Sequence, residues 1–396
     1  MNTNEQEQGL HANERVTATS KFRNFRARAR RGAAAIFGLI LTGSLVVLLA
    51  ITLDFGYITV SQAELRRSVD AAAMAACWEL YDQQSNSPGA TLSVAPIRSA
   101  AELAAAQNKI SANSPAVGLT GNDFSLGTYD FSNGSFSAAL SGNLNAVRVR
   151  LARQTSINGE VPLFFGSLTG RESQSLQQHA VAAMINNVKG FYTPGSSGET
   201  LDILPIALDL GTWQDVLAGR TTDSFRMVQG QVSSGSDGLY ECNLYPQGTG
   251  SPGNRGTVDI GSSNNSTADL SRQILHGISR QDFVDLGKPL QFDSKGELSL
   301  NGDTGISAGI KDELASIIGK KRIIPIFSCV SGNGNNAMYT IVKFEGVRIL
   351  EVKLTGSMKS KRLIIQPAKM VARHAVISTE QSFTSDYLVS PVMIVE

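Results

Sequence analysis

The feature that most constrains this chain is a run of twenty-two residues, Gly32 to Leu53, without a single charge. As a helix rising ~1.5 Å per residue it spans about 33 Å, enough to cross a hydrocarbon core of ~30 Å. Directly before it stand Lys21, Arg23, Arg26, Arg28, Arg30 and Arg31. Basic residues next to a span stay on the cytoplasmic side, so residues 1–31 read as a cytoplasmic basic tail, 32–53 as a transmembrane helix, and everything after Asp54 as exported. A cleaved signal peptide, which would release a secreted surface protein, is the rival reading. The run is longer than an h-region of about 7–15 residues, begins some way into the chain, and continues through LAITLDFG into charged helix with no evident cleavage site. An uncleaved anchor is expected. Ala34, Gly38 and Thr42 form a small-residue stripe along it, on which another membrane helix could pack; such residues are also simply frequent in membrane helices.

Charge is distributed unevenly along the 396 residues. Residues 1–53 hold 7 Lys/Arg against 3 Asp/Glu, and the remainder 28 against 31. The exported part is slightly acidic, and no basic face points to nucleic acid. Cys77, Cys242 and Cys329 all fall on the exported side, where a disulfide is permitted; Cys242–Cys329 is the expected pair because both lie in the distal region. Cys77, inside an Ala-rich helix, reads as a small buried side chain.

The polar residues 1–20 lack the apolar content to order themselves. Beyond the span the helix continues to about Gln83. Ile58, Leu65, Val69, Ala72, Ala73, Ala76 and Leu80 recur on one side, and Glu64/Arg67 and Arg66/Asp70 form charge pairs on the other. SNSPGA (85–90) breaks it, and a second Ala-rich helix over Arg98–Ile110 is expected to lie against it. DFSLGTYD, GSFSAALSG and NAVRVRLAR read as strands, with Asn133-Gly134 as a hairpin turn. VPLFFGSLTG and LQQHAVAAMI complete an α+β unit over 54–190. FYTPGSSGE (191–199) reads as a linker to a β-rich distal domain, 200–396, with mixed pairing and two helices, one capped by Ser266 and one by Ser307 and ended at Gly319. The fold class is therefore α+β behind a single N-terminal transmembrane helix that continues as a long extracytoplasmic helix.

Several short motifs invite a chemical reading. GISAG (305–309) fits the G-x-S-x-G nucleophile elbow, which makes a membrane-tethered serine hydrolase using Ser307 the alternative function. The expected order is Ser, acid, His, yet His374 precedes Asp386 here, and Ser307 also serves as a helix cap. DTG (303–305) resembles half an aspartic-protease site, but that chemistry needs two carboxylates and there is no second copy. DLGTW (209–213) lacks the serines of a magnesium-dependent adhesion site, and SGSDG (234–238) and SGNGNN (331–336) read as turns rather than calcium loops. His11, His179, His276 and His374 are scattered without metal spacing, and Asn265-Ser266-Thr267 is a three-residue sequon match of low specificity. No catalytic, cofactor or metal site is expected.

The anchor and its continuation together resemble the N-terminal region of TadG-like proteins of the Tad (tight adherence) pilus-assembly system. The pattern is a basic stretch, Arg31-Gly32, an apolar helix, Asp54-x-Gly56, then a helix ending in Asp70, Ala71, Ala72, Ala73, Ala75 and Ala76. VPLFFGSLTG and HAVAAMI resemble the segment that closes the proximal domain of such proteins, so the likeness spans about residues 28–185. It implies a single-pass inner-membrane protein with its C-terminal domains in the periplasm. Its implied role is assembly or anchoring of Flp-type pili, by contact with other Tad/Flp components, pilin-like helices or further copies of itself. Related pseudopilins are cut after a Gly and carry Glu at the fifth mature position; cleavage after Gly32 would put Phe37 there, which argues against processing. Some TadG-like proteins also carry a von Willebrand A module, whose metal motif is missing.

Overall fold

A computed structural model describes residues 4–86, 91–111, 123–196, 198–245, 255–261, 266–380 and 383–396, with side chains from residue 34 onward except Met358. The chain divides into two compact units that interleave along the sequence: 1–65, 110–113 and 152–177 in one, and 66–109, 114–151 and 178–396 in the other.

One helix, α1 (Asn4–Asn86), contributes to both units. It begins inside the polar tail that composition alone suggests is unstructured; the Glu, Gln, Ala, Arg and Lys of that tail are good helix formers, and propagating an existing helix costs less than nucleating one. In the first unit α1 is accompanied by a small hairpin, Val161–Pro162 against Ser173–Gln174, and by a one-turn helix, α3 (Gly166–Thr169). Glu160 at the hairpin base accepts from Thr155 at 3.2 Å and from the hydroxyls of Ser173 and Ser175, which hold its carboxyl below the usual range. Arg153, almost fully buried, donates to the carbonyls of Ile110 at 3.0 Å and Gly159 at 2.9 Å.

In the second unit the outer part of α1 buries the expected stripe: Leu65 at its border, then Val69, Ala72, Ala73, Ala76 and Leu80, with Cys77 joining them. Arg66 and Asp70 pair at 3.1 Å, whereas Glu64 receives the Ser111 N–H at 2.7 Å within the first unit. A second helix, α2 (Val94–Gln107), starts four residues earlier than its apolar pattern suggests and ends before Ile110. Its Ile97, Ala101 and Ala105 are buried, and Ser68 on α1 donates to the Ala105 carbonyl at 3.4 Å, so the two thin Ala-rich faces do meet. Gln83 fixes the near end by bonding both backbone polar groups of Ser93.

The proximal sheet comprises β1 (Phe124–Asp130), β2 (Ser135–Ala138), β3 (Ala146–Arg153) and β4 (Leu176–Ala183). The β1–β2 turn is the expected one, with Gly134 at φ +66° and the Asn133 carboxamide oxygen accepting from Ser135. The distal strands are β5 (Ile206–Asp209), β6 (Cys242–Asn243), β7 (Arg255–Val258), β8 (Leu298–Asp303), β9 (Lys321–Ser331), β10 (Ala337–Lys353) and β11 (Arg362–Pro367). Their order is β6-β11-β10-β8-β7-β5-β9, and β9 also pairs with β10, so five of them close into a ring. All its ladders are antiparallel except β5–β9. Both strand faces are covered: Ala207, Ile323 and Tyr339 belong to one core, and Leu208, Ile324 and Ile326 to another with Trp213, Leu270 and Leu314 of the helices.

Three departures from the expected plan follow from long-range pairing. The last strand, β12 (Met393–Ile394), returns to pair with β4, so the proximal sheet is completed by the end of the chain. The 191–199 stretch is not a free linker at its start, because Phe191 ends a strand (Val188–Phe191) and packs edge-on against Phe344 at 4.9 Å. Among the described residues the distal region holds four α-helices rather than two: α4 (Leu210–Leu217) and α6 (Arg280–Leu286) join α5 (Thr267–His276) and α7 (Lys311–Ser316). Ser266 caps α5 as expected, while Ser307 caps a 3-10 turn (Ala308–Ile310) that leads into α7.

The distal sheet also buries a titratable group. Glu345, fully buried in β10, accepts from the Asp386 and Tyr387 amides at 2.9 and 2.8 Å and from the Ser385 hydroxyl at 2.8 Å. Burial pushes its carboxyl up to about 8, against the pull of Lys343 and these donors. Replacing Glu345 by Ala removes the acceptor of the buried Ser385 hydroxyl and of two part-buried N–H groups and should lower unfolding stability by about 1–3 kcal/mol, measurable by denaturant titration of the full chain in detergent.

Candidate functional site along the long helix

Within the first unit, every residue from Ala34 to Leu49 is exposed, including Phe37, Leu41 and Leu45. The few hydroxyls in this apolar stretch are satisfied locally: Thr42, Ser44 and Thr52 each donate to the carbonyl four residues earlier, at 2.8, 2.9 and 2.7 Å. A segment that consumes its own polar groups in this way is compatible with hydrocarbon. It belongs to one helix that is long and apolar enough to cross a membrane. The Ala34–Gly38–Thr42 stripe is wholly exposed, and a Cβ at Gly38 would meet nothing within 4 Å. Arg31 and Gly32 lie in α1, but their side chains fall outside the described residues.

Asp54 is the first charged residue after the run, and it is only 5 % exposed. Its carboxylate accepts from the Phe164 amide at 2.8 Å and from the Phe165 amide at 3.1 and 3.2 Å. These N–H groups precede the one-turn helix at Gly166, so Asp54 supplies the acceptor that the short helix lacks locally. Tyr57, one turn on, sets its ring 4.9 Å from that of Phe164. Gly166 is needed for the turn: a Cβ there would lie 2.3 Å from the Arg171 carbonyl oxygen. Gly56, in contrast, faces open space. Two pieces of the family-like sequence, Asp54 and VPLFFGSLTG, are thus joined by direct hydrogen bonds. No spacing rule in the sequence links residues so far apart.

The other end of α1, in the second unit, is held by lysines. Lys321 donates to the Lys369 carbonyl at 3.0 Å and to Ser85, and Lys369 bonds Gln84 at 2.5 Å. Ser85 in turn donates to the Lys369 carbonyl at 3.1 Å, and Gln84 to the Leu144 carbonyl at 2.8 Å. Two cations at a helix C-terminus meet the negative end of its dipole. Burial pushes both ammonium groups down to about 8; Arg348 adds to the effect at Lys321, and the Cys77 thiol opposes it at Lys369. Cys77 is fully buried, and its thiol is pushed up to about 12 by that burial. Neither lysine belongs to a recognisable motif, and sequence reasoning missed both.

The remaining candidates are used structurally. Cys77, Cys242 and Cys329 are all free. The structure does not bring the expected pair together: Cys242 is buried beside Ile365 on β11, whereas Cys329 is exposed on β9 opposite Thr340. The two positions attach at different ends of β10, too far for the short Cα separation a disulfide requires. The exposed Ser307 hydroxyl accepts from Gly309 N–H at 3.1 Å. His374 pairs with Glu199 at 3.1 Å and Asp386 with Lys343 at 2.8 Å, so neither is aligned on Ser307. Asp209 caps α4 through Thr212, Asp303 accepts from Gly305 in a turn, and Asp223 gathers the 236–238 turn. Among the described residues no group of three or more His, Cys, Asp or Glu is arranged to hold a metal. Asn265 of the sequon lies outside the described residues.

Two outcomes follow. Asp54→Ala should speed hydrogen exchange at the Phe164 and Phe165 amides on the order of ten-fold or more, read by mass spectrometry, because each loses a charged acceptor. The lysines should make stability pH-dependent: the unfolded chain keeps these protons to near 10.5 and the folded chain releases them near 8, so stability rises as pH climbs between the two values. Lys369→Met should flatten that rise relative to the parent in denaturant titrations across the same window.

Comparison with known proteins places this geometry. Residues 32–86 match the family described as "Putative Flp pilus-assembly TadE/G-like", and residues 72–182 match the family described as "Putative Tad-like Flp pilus-assembly". No curated protein and no solved structure matches the chain. The two matched regions overlap on the outer part of α1 and contain both Asp54 and the loop it holds. Residues 32–182, less than half of the chain, are thus similar to these two Flp pilus-assembly families.

Proposed function

We propose that this protein is a bitopic, non-enzymatic component of Flp pilus assembly, anchored in the inner membrane by residues 32–53 with its C-terminal part in the periplasm. The observation that carries the reading is the exposed, self-satisfied apolar stretch of α1 that begins the family match. A water-soluble role gives no reason to leave Phe37, Leu41 and Leu45 uncovered. The basic tail sets the orientation. The small-residue stripe Ala34–Gly38–Thr42 is the surface on which a pilin-like helix, another assembly protein or a second copy would approach closely. The role is one of contact and positioning, without turnover. No observation favours the hydrolase reading of Ser307, whose hydroxyl caps a turn.

The orientation is tested by fusing a periplasm-dependent phosphatase after residue 396. An active fusion is expected; an inactive one overturns the topology. Deleting the gene should abolish surface pili while leaving pilin synthesis intact, and normal piliation would refute the assembly role. Purified full-length protein should not be labelled by a fluorophosphonate probe. Labelling abolished by Ser307→Ala would revive the hydrolase.

A further inference from the structure

The ten residues from Val161 to Gly170 carry no charge, and they lie between Glu160 and Arg171. They form the tip of the small hairpin in the first unit, whose base is polar: Glu160 is tied there to Thr155, Ser173 and Ser175. At the tip, Phe164 is 70 % exposed and Leu168 59 % exposed. Two large apolar side chains projecting from one tight turn need a reason.

Asp54 supplies the geometry. It directly follows the uncharged run, and its carboxylate holds the Phe164 and Phe165 amides within 3.2 Å. The tip is therefore fixed at the depth where α1 leaves the apolar span. Phe55, next to Asp54, is likewise exposed, and the Tyr57 ring packs tilted against Phe164, so aromatic rings gather at that level. Aromatic rings favour the boundary between headgroups and acyl chains, and a buried carboxylate shielded by two amides is a tolerable way to enter it. We propose that the 163–168 loop is a second, interfacial membrane contact, with Phe164 and Leu168 seated in the outer boundary of a phospholipid bilayer and Asp54 setting their depth. Two points of attachment would resist tilting of the helix at its exit, which a lone span does not. The inference rests on residues 32–53 being the membrane anchor.

The test uses the full chain in phosphatidylcholine–phosphatidylglycerol vesicles, with Cys329→Ser removing the exposed thiol; Cys77 and Cys242 are buried. A nitroxide is attached at Phe164→Cys or Leu168→Cys, with Val47→Cys as the span reference and Lys295→Cys as the aqueous reference. Spin-relaxation measurements compare collisions with oxygen, which concentrates in lipid, and with a neutral nickel chelate, which stays in water. Labels at 164 and 168 should give an oxygen-to-nickel ratio several-fold above that at 295 and below that at 47. Adding Asp54→Ala should shift the 164 label toward the aqueous value. Ratios at 164 and 168 equal to that at 295, with 47 still in lipid, would overturn the loop contact and leave the anchor intact. Exclusion of both reagents would show the loop covered by protein and also overturn it. An aqueous value at 47 would instead defeat the anchor reading.

Discussion

A single helix, Asn4–Asn86, changes character along its length: one stretch is apolar and exposed, and the next buries an apolar stripe against folded chain. From Ala34 to Leu49 it is exposed, and Thr42, Ser44 and Thr52 return their hydroxyls to its own carbonyls. Its outer stretch is the reverse, with Val69, Ala72, Ala73, Ala76 and Leu80 buried and charges on the opposite side. A helix of this kind gains nothing by burying its first half in protein and cannot leave its second half in water. The apolar stripe must therefore be covered by folded chain, while the span remains free to be covered by something else.

The transition between these regimes is marked by a buried carboxylate. A buried carboxylate is costly unless it is hydrogen-bonded, and the Phe164 and Phe165 amides supply those bonds to Asp54. At the far end Lys321 donates to the Ser85 carbonyl of the helix terminus at 3.4 Å, and Lys369 donates to the Gln84 side chain. Neither contact is an exposed ion pair of small value; each places charge against oriented backbone or side-chain dipoles.

The distal region contributes a closed ring of strands with helices packed on it, and its acidic residues are spent on order. Arg272 joins Asp269 and Asp282, Asp282 completes a capping box with Ser279, and Glu345 gathers the 385–387 turn. The same economy explains why Ser307, Asp303 and Asp209 look catalytic in sequence: short polar side chains with glycines are also what helix caps and turns need. The motif and the cap share residue types, and only the placement of His374 and Asp386 separates them.

Local chemistry was enough to read the span, its amphipathic continuation, the β1–β2 hairpin and the Ser266 cap, because each depends on residues within a turn or two of one another. Those signals, with the Asp54–Gly56 and Asp70–Ala73 pattern, also carried the family likeness. What the sequence could not order was decided by contacts about a hundred to nearly three hundred residues apart: β12 completing the proximal sheet, β9 pairing with β5, Lys369 reaching Gln84, and Asp54 reaching Phe164. Cys242 and Cys329 mark the same boundary, since proximity in sequence says little when one long strand separates their places in the sheet. Periodicity fixes which face of an element is apolar; only the tertiary structure selects the partner, because many apolar faces and many polar groups would satisfy the local rule equally well.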